Sequence, residues 1–414
     1  MSISRTEEQL VGSIARRRAS LVEELAALVA IPTGPGPGSR LDECRGLLCG
    51  RLQRLGAVLE LAPGRPKPAW LREGAAHDGE VPPFALLRRE CPGAQARILL
   101  CGHIDTVFPL TREFAALDIQ PDGRRGVGPG CSDMKGGLLV AVAALEAMEA
   151  AGAPLSWTFA IVSDEETGSF HADALLREEG ARPRGAGGYD CGLIFEPALP
   201  DGGLVVERPG SGQFMIECRG RAAHVGRDFS TGVSAVRALA EAITRACDLA
   251  DPANGCIVNV GPLEGGAATN IVPDAARAWG NVRYFSPAAE SRLAGELKAM
   301  NANSGRLPST RVELVLNRPA KPKTPAVERL AHLARSCALD LGQQLPFGTT
   351  GGVCDGNNLQ AGGLPTIDTL GVRGGGLHTT QEWIDLDSLV DRAQLAALLL
   401  SRLAAAPGLL TTGP

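Results

Sequence analysis

At 414 residues the chain is longer than one hydrophobic core usually supports, so two domains are expected. Its 44% hydrophobic and 21% charged content is that of an ordinary globular protein, and a net charge of −5 argues against a nucleic-acid partner. No signal-peptide pattern or apolar run of about 18 residues occurs, and the eleven cysteines form no C-x-x-C pair; a cytoplasmic protein with reduced thiols and no membrane partner is expected.

Apolar residues from Leu10 to Val29 recur at helical spacing and predict a helix, which the Pro- and Gly-rich stretch 32–39 ends. A second helix is predicted from Leu41 to Leu55. Residues 62–95, dense in Pro, Gly and charge, read as hairpin or loop. The run Ile98-Leu99-Leu100 then predicts a strand leading into Cys101-Gly102-His103-Ile104-Asp105-Thr106. Side chains alternate along a strand, so His103 and Asp105 point the same way. That suits an imidazole metal ligand with a carboxylate taking its other N–H.

Glycine-rich residues 126–137 run into an alanine-rich helix from Leu138 to Ala150, and Asp133 can be held in this shaped loop. A nucleotide loop is the rival reading, but neither G-x-x-x-x-G-K-[ST] nor G-x-G-x-x-G after a strand is present. Trp157 to Val162 predicts a strand, followed at once by Asp164-Glu165-Glu166. A short helix through Leu175 leads to a strand from Gly192 to Phe195, which ends in Glu196-Pro197.

Strands alternating with helices predict an α/β domain with a doubly wound, mostly parallel sheet. Ligands of such sheets sit outside the carboxyl ends of the strands, where His103, Glu165, Glu166 and Glu196 all fall.

The texture changes near Pro209. Strands at Phe214 to Arg219, Ile257 to Leu263, Ala276 to Tyr284 and Val312 to Leu316, with helices from Ser234 to Leu249 and Pro287 to Met300, give the order β-α-β-β-α-β of a ferredoxin-like, split βαβ sandwich. Residues 208–317 are read as a second domain inserted into a first made of 1–207 and 318–414. Its first helix should carry Val236, Leu239, Ala240, Ile243 and Cys247 on one stripe. A helix from Val327 to Leu339, a strand from Pro365 to Leu370, a glycine run before His378 and a last helix from Asp387 to Ala404 complete the chain. His77, His171 and His332 read as surface or packing residues.

His103, Asp133, Glu166, Glu196 and His378 offer two imidazoles and three carboxylates, a set that suits two divalent ions sharing one carboxylate. Glu165, beside a ligand, is free to act as general base. Each residue alone has a plainer reading: Asp133 as a helix N-cap, Glu165 and Glu166 as a solvated loop end, Glu196 as a strand exit, His378 as a loop residue, His224 as a cap, Arg283 as a surface charge. All of these would have to hold together.

Gly102-His103-Ile104-Asp105-Thr106-Val107, Gly130-x-x-Asp133-Met134-Lys135-Gly136-Gly137, Asp164-Glu165-Glu166-x-Gly168-Ser169, Glu196-Pro197 and the late His378 resemble, in order, the motifs of the M20 family of dinuclear zinc peptidases and deacylases. From Gly351 to Trp383 the chain looks closest to the glutamate carboxypeptidase branch. The resemblance implies one metal on His103, Asp133 and Glu196 and another on Asp133, Glu166 and His378. Asp133 would bridge, Glu165 would be general base and acid, Asp105 would orient His103, and a cis peptide would fall at Asp133-Met134. The implied metals are Zn²⁺ first, with Co²⁺ or Mn²⁺ possible.

The inserted domain is similar to the family's lid and dimerisation domain, which implies a homodimer. Ala223-His224-Val225-Gly226 matches its Ala-His-x-Gly motif, with Ala222 replacing the usual Ser; His224 would stabilise the oxyanion in its own chain or a partner's. Asn270 and Arg283 match positions that hold a substrate carboxylate, although Asn281 stands where Asp is usual. Closure would hinge near Glu207 to Gly210 and Leu316 to Pro319. The expected reaction is hydrolysis of an amide beside a free amino-acid carboxylate in a small amino-acid or peptide substrate. A glutamate-carboxypeptidase-like reaction is preferred over N-acyl amino acid deacylation, and a non-catalytic metal- and ligand-binding protein is the alternative of another class.

Overall fold

A computed structural model describes residues 3–36, 39–71, 82–109, 113–302 and 305–406; His77 lies outside them. The expected single N-terminal helix is two, α1 (Arg5–Ala15) and α2 (Arg18–Val29). The Arg17 N–H donates to the Ile14 carbonyl and ends the first helix, while its guanidinium pairs with Glu146 at 2.7 Å and Glu24 at 3.4 Å. The chain continues through α3 (Leu41–Arg54), β1 (Val58–Ala62), β2 (Phe84–Arg89), β3 (Arg97–His103), β4 (Asp118–Ile119) and β5 (Arg125–Val127). After a widened turn at Cys131–Gly136 come α4 (Gly137–Ala150), β6 (Ser156–Val162), α5 (Asp173–Gly180), β7 (Cys191–Ile194) and β8 (Leu204–Glu207).

Then follow β9 (Gly210–Arg219), β10 (Ala223–His224), α6 (Ala235–Cys247), β11 (Ile257–Gly265), β12 (Ile271–Val272), β13 (Ala275–Tyr284), α7 (Pro287–Ala299) and β14 (Ser309–Arg318). The chain closes with α8 (Pro325–Asp340), β15 (Phe347–Thr349), α9 (Asp355–Ala361), β16 (Thr366–Ile367), β17 (Gly374–Gly375), β18 (Trp383–Asp385) and α10 (Ser388–Ala405). The strand expected over Pro365 to Leu370 shrinks to β16, beyond which Thr369 takes a φ of 63° that no extended strand allows.

The larger sheet has the order β1-β2-β6-β3-β7-β16. It is mixed: β6, β3, β7 and β16 run parallel, while β1 and β2 add an antiparallel edge. Alternation along β3 sends Ile98 and Leu100 into a core shared with α4 and α10. Leu99 and Cys101 face Leu176 of α5 and Leu359 of α9 on the other side. Helix α4 is buried almost all round, which its apolar, charge-poor sequence allows.

The smaller sheet has the order β11-β13-β9-β14, all antiparallel, with its own core of Phe214, Ile216, Leu239, Ala278, Val282, Leu293 and Leu297. Its helix α6 buries Ala235, Ala238, Leu239, Ala242 and Ala246. The expected stripe is therefore shifted, because the small alanines let the helix lie close on the sheet. Val236 is 39% exposed, and Ala240 and Cys247 are exposed as well.

Candidate active site

Strand β3 delivers His103 to the carboxyl edge of the sheet, where the residue is buried. Its Nδ1 meets the Asp105 carbonyl oxygen at 3.0 Å, and since a carbonyl only accepts, the proton sits on Nδ1 and leaves the Nε2 lone pair facing inward. The orienting acceptor is thus the Asp105 main chain rather than its carboxylate, which stands 3.5 Å from Nδ1. That carboxylate is engaged elsewhere: it accepts from the N–H groups of Glu165 at 3.1 Å and Glu166 at 2.8 Å.

Asp133 lies in the widened turn ahead of α4, where its peptide bond to Met134 is cis. Gly130, at a φ of 67°, makes the entry to this turn. Gly137 brings α4 so near the end of β7 that a Cβ there would stand 1.9 Å from the Phe195 carbonyl oxygen; Glu196, the next residue, joins Asp133 in one group of donors. The Asp133 oxygens diverge. Oδ1 is 3.2 Å from His103 Nε2, and Oδ2 is 3.5 Å from His378 Nε2, which is itself 3.2 Å from Glu166 Oε2.

Two donor sets result: His103, Asp133 and Glu196, then Asp133, Glu166 and His378, each with its ligand atoms within 4.8 Å of one another. Burial and the Asp133 charge push Glu166 up to about 8, and burial pushes Glu196 well above the carboxylate range. Burial also raises Asp133, but the hydrogen bonds to His103 and His378 outweigh it and hold this carboxyl low. Asp133 and Glu166 raise His378 to about 10. Three buried carboxylates crowded around two imidazoles form a site short of positive charge. Hard and borderline divalent cations fit such a nitrogen and oxygen donor set, with one Asp133 oxygen turned toward each imidazole.

Both sets open into a cavity of about 740 Å³ between the two sheets. Glu165, Arg208, Arg283 and Arg318 also line it. Arg208 pairs with Asp368 at 2.7 Å and Arg318 with Glu165 at 2.7 Å, whereas Arg283 Nη1 is buried with no hydrogen-bond partner among the described residues. Register puts Ser211 opposite both Arg283 and Arg318, so the two guanidiniums flank one strand. His224 and Asn270 are exposed and do not line the cavity of their own chain. They neighbour each other across the β10/β12 pair, where the Val225 N–H donates to the Asn270 carbonyl at 3.0 Å.

Residues 99–402 match peptidase family M20/M25/M40. The chain belongs to that family. It is a metal-dependent hydrolase of peptide or related amide bonds. Carboxypeptidase G2 of Pseudomonas sp. (strain RS-16) is 27% identical over 395 residues, which cover 93% of this chain and 90% of that relative. Succinyl-diaminopimelate desuccinylase 2 of Shewanella loihica is 27% identical over 328 residues, covering 74% of this chain and 85% of the relative. A tripeptidase from Staphylococcus aureus superposes with a TM-score of 0.73 at 22% identity, covering 94% of this chain and 99% of its own; that likeness speaks for the fold.

Two site residues escaped the sequence reading. Glu382, fully buried, accepts from the N–H groups of Gly130, Ser132 and Asp133 at 2.8 to 3.0 Å and so shapes the turn that carries Asp133. A lone acid ahead of Trp383 gives no spacing signal. Arg318 ends a strand in the Asn317-Arg318-Pro319 passage, and nothing local separates it from an ordinary strand-exit charge.

Proposed function

We propose that the chain hydrolyses the amide next to a free amino-acid carboxylate, in a glutamate-carboxypeptidase-like reaction, with two Zn²⁺ ions, or Co²⁺ or Mn²⁺ in their place. The observation that carries the reading is Arg283, whose buried Nη1 has no partner in a cavity where Arg208 and Arg318 are already paired. Burial and the Arg318 charge press its pKa down, and a substrate carboxylate would relieve both while offering the guanidinium a bidentate partner.

His103, Asp133 and Glu196 would hold one cation and Asp133, Glu166 and His378 the other, with Asp133 shared. When bound, such a pair supplies Lewis-acid polarisation of the scissile carbonyl and lowers the pKa of water. Glu165 takes the proton of the attacking water and returns it to the leaving amine. Asp105 fixes the His103 tautomer through its carbonyl and the Glu165-Glu166 loop through its carboxylate.

Residues 208–317 are proposed as a ferredoxin-like lid and dimerisation domain inserted between 1–207 and 318–414, hinging near Glu207 to Gly210 and Leu316 to Pro319. Val236, Ala240 and Cys247 on α6, with Ile257 and Leu263 on the edge strand β11, form exposed apolar surface that suits a second copy. A homodimer would let His224 and Asn270 serve a site other than their own chain's, His224 stabilising the oxyanion and Asn270 helping to hold the carboxylate. Eleven free cysteines support a cytoplasmic setting.

Peptides ending in Glu and N-acyl amino acids, each paired with its carboxamide, test the reading with Zn²⁺ or Co²⁺ added. Release from the acids should exceed release from the amides by about tenfold or more, the scale of a charge-assisted pair. Release from N-acyl amino acids alone would favour a desuccinylase-like deacylase. No release from any carboxylate-bearing substrate would end the proposal.

A further inference from the structure

Arg318 is the last residue of β14, where the chain returns from the smaller sheet to the larger unit. Its Nη2 lies 2.7 Å from Glu165 Oε1 and donates to the Glu165 carbonyl at 2.7 Å and to Ser169 Oγ at 2.6 Å. Ser169 Oγ donates in turn to Asp355 Oδ1 at 2.5 Å. All four residues are buried, Glu165 most exposed at 8%. Ser169 has a φ of 53°, which a non-glycine residue keeps only when its surroundings fix it, and its N–H donates to the Asp164 carbonyl at 2.7 Å. Asp355, Ser169, Arg318 and Glu165 therefore form one continuous buried chain.

The backbone carrying Arg318 is pinned as firmly. Asn357 Nδ2 donates to the carbonyls of both Pro209 and Pro319 at 2.8 Å, one on each connection between the units. Beside them, Arg208 and Lys321 exchange main-chain hydrogen bonds at 3.0 Å. Asn317 Nδ2 also donates to the Gly168 carbonyl, in the loop that follows Glu165. A guanidinium anchored here cannot shift without breaking several of these bonds.

We propose that Arg318 is the positioning residue of Glu165, tying its carboxylate to the paired connections between the units, with Ser169 and Asp355 as the back support. The proposal rests on Glu165 being the general base. Arg318 acts through Glu165: three acceptors share its Nη2, while its Nε is buried with no partner among the described residues.

A double-mutant cycle on the metal-loaded full chain tests this, with a peptide ending in Glu as substrate. Arg318→Ala should keep two metals per chain, lower kcat by about 10 to 100 fold, the cost of misplacing a reacting group, and leave KM within about twofold. Added guanidinium ion should restore part of the loss, and a crystal structure should show the Glu165 carboxylate displaced. Ser169→Ala should move kcat the same way by less. Glu165→Gln with Arg318→Ala should be no slower than Glu165→Gln alone, because residues acting as a unit are not additive.

Additive losses, or a raised KM at unchanged kcat, would overturn the proposal and make Arg318 a substrate-binding group. If Arg318→Ala fails to fold, Arg318→Lys and Ser169→Ala carry the same cycle. Full turnover in Glu165→Gln alone would instead sink the assignment of the base, a separate failure.

Discussion

The Asp105 carboxylate accepts the main-chain N–H of Glu166 at 2.8 Å, while the Asp105 carbonyl takes Nδ1 of His103 at 3.0 Å. One residue thus fixes a ligand of each donor set, because His103 belongs to one and Glu166 to the other. Asp105→Asn keeps the carbonyl but replaces one acceptor oxygen by a donor, so one N–H of the Glu165-Glu166 pair loses its partner. Activity or metal affinity should fall by about 10 to 100 fold, the usual scale for a group that orients a ligand. Titration with a competing chelator and steady-state rates measure the two separately; a neutral result would reduce Asp105 to a loop residue.

Glu382 gives a second handle on the metals. Its carboxylate gathers three N–H groups of the turn bearing Asp133. Glu382→Gln retains a single acceptor oxygen, so the turn should loosen and cation affinity should drop by about 10 to 100 fold at both sites together, since Asp133 belongs to both sets. Loss at one site only would contradict the shared role of Asp133.

Arg283→Met removes the unpartnered guanidinium without removing a base or a ligand. For an acidic C-terminal substrate kcat/KM should fall by about 10 to 100 fold, as expected when a charge-assisted hydrogen bond worth about 1.5 to 3 kcal/mol is lost. For the matching carboxamide it should change little. Equal losses on both substrates would move Arg283 from recognition to structure.

Away from the site, Glu179 is buried beside Arg88, Arg182 and Tyr189. Burial raises its carboxyl, but the hydrogen bonds to these three groups outweigh it and lower the pKa to about 2 from an ordinary 4.5. A group depressed in the folded state stabilises above its unfolded pKa and stops doing so as pH falls through the folded one. Glu179 therefore contributes stability that disappears between about pH 4.5 and 2. Urea midpoints followed across that window should fall more steeply for the native chain than for Glu179→Gln, which should already be weaker at pH 7. Parallel curves would remove Glu179 from the acid response.

Much of this was legible in the order of residues. Period and punctuation locate nearly every long element, from the strand ending at His103 to the alternation of strands and helices over Phe214 to Leu316, because local hydrophobic pattern decides them. The candidate donors are legible for another reason: each sits at a strand end or a glycine-bent turn, so chemistry and backbone signal coincide. What was not legible depends on distant partners.

The break at Arg16-Arg17 involves Glu146, and the inward face of α6 depends on how closely alanines let it approach its sheet. Glu382 and Arg318 matter through contacts across more than a hundred residues of chain. The spacing of His103 and Asp105 points to the Asp105 side chain as orienter, whereas its carbonyl takes the imidazole because the carboxylate is committed to the next loop. The places of His224 and Asn270 were expected from resemblance alone, and in the single chain they stand apart from the cavity.

In the proposed reaction Glu165 moves the proton while its neighbour Glu166 holds metal. Metal content and turnover of Glu165→Gln, set against the native chain on a peptide ending in Glu, test it most directly. Two divalent ions per chain with turnover lowered by about 100 to 10,000 fold is the predicted result, the range for loss of a general base. Native turnover in that variant, or loss of a metal ion with the mutation, would contradict it.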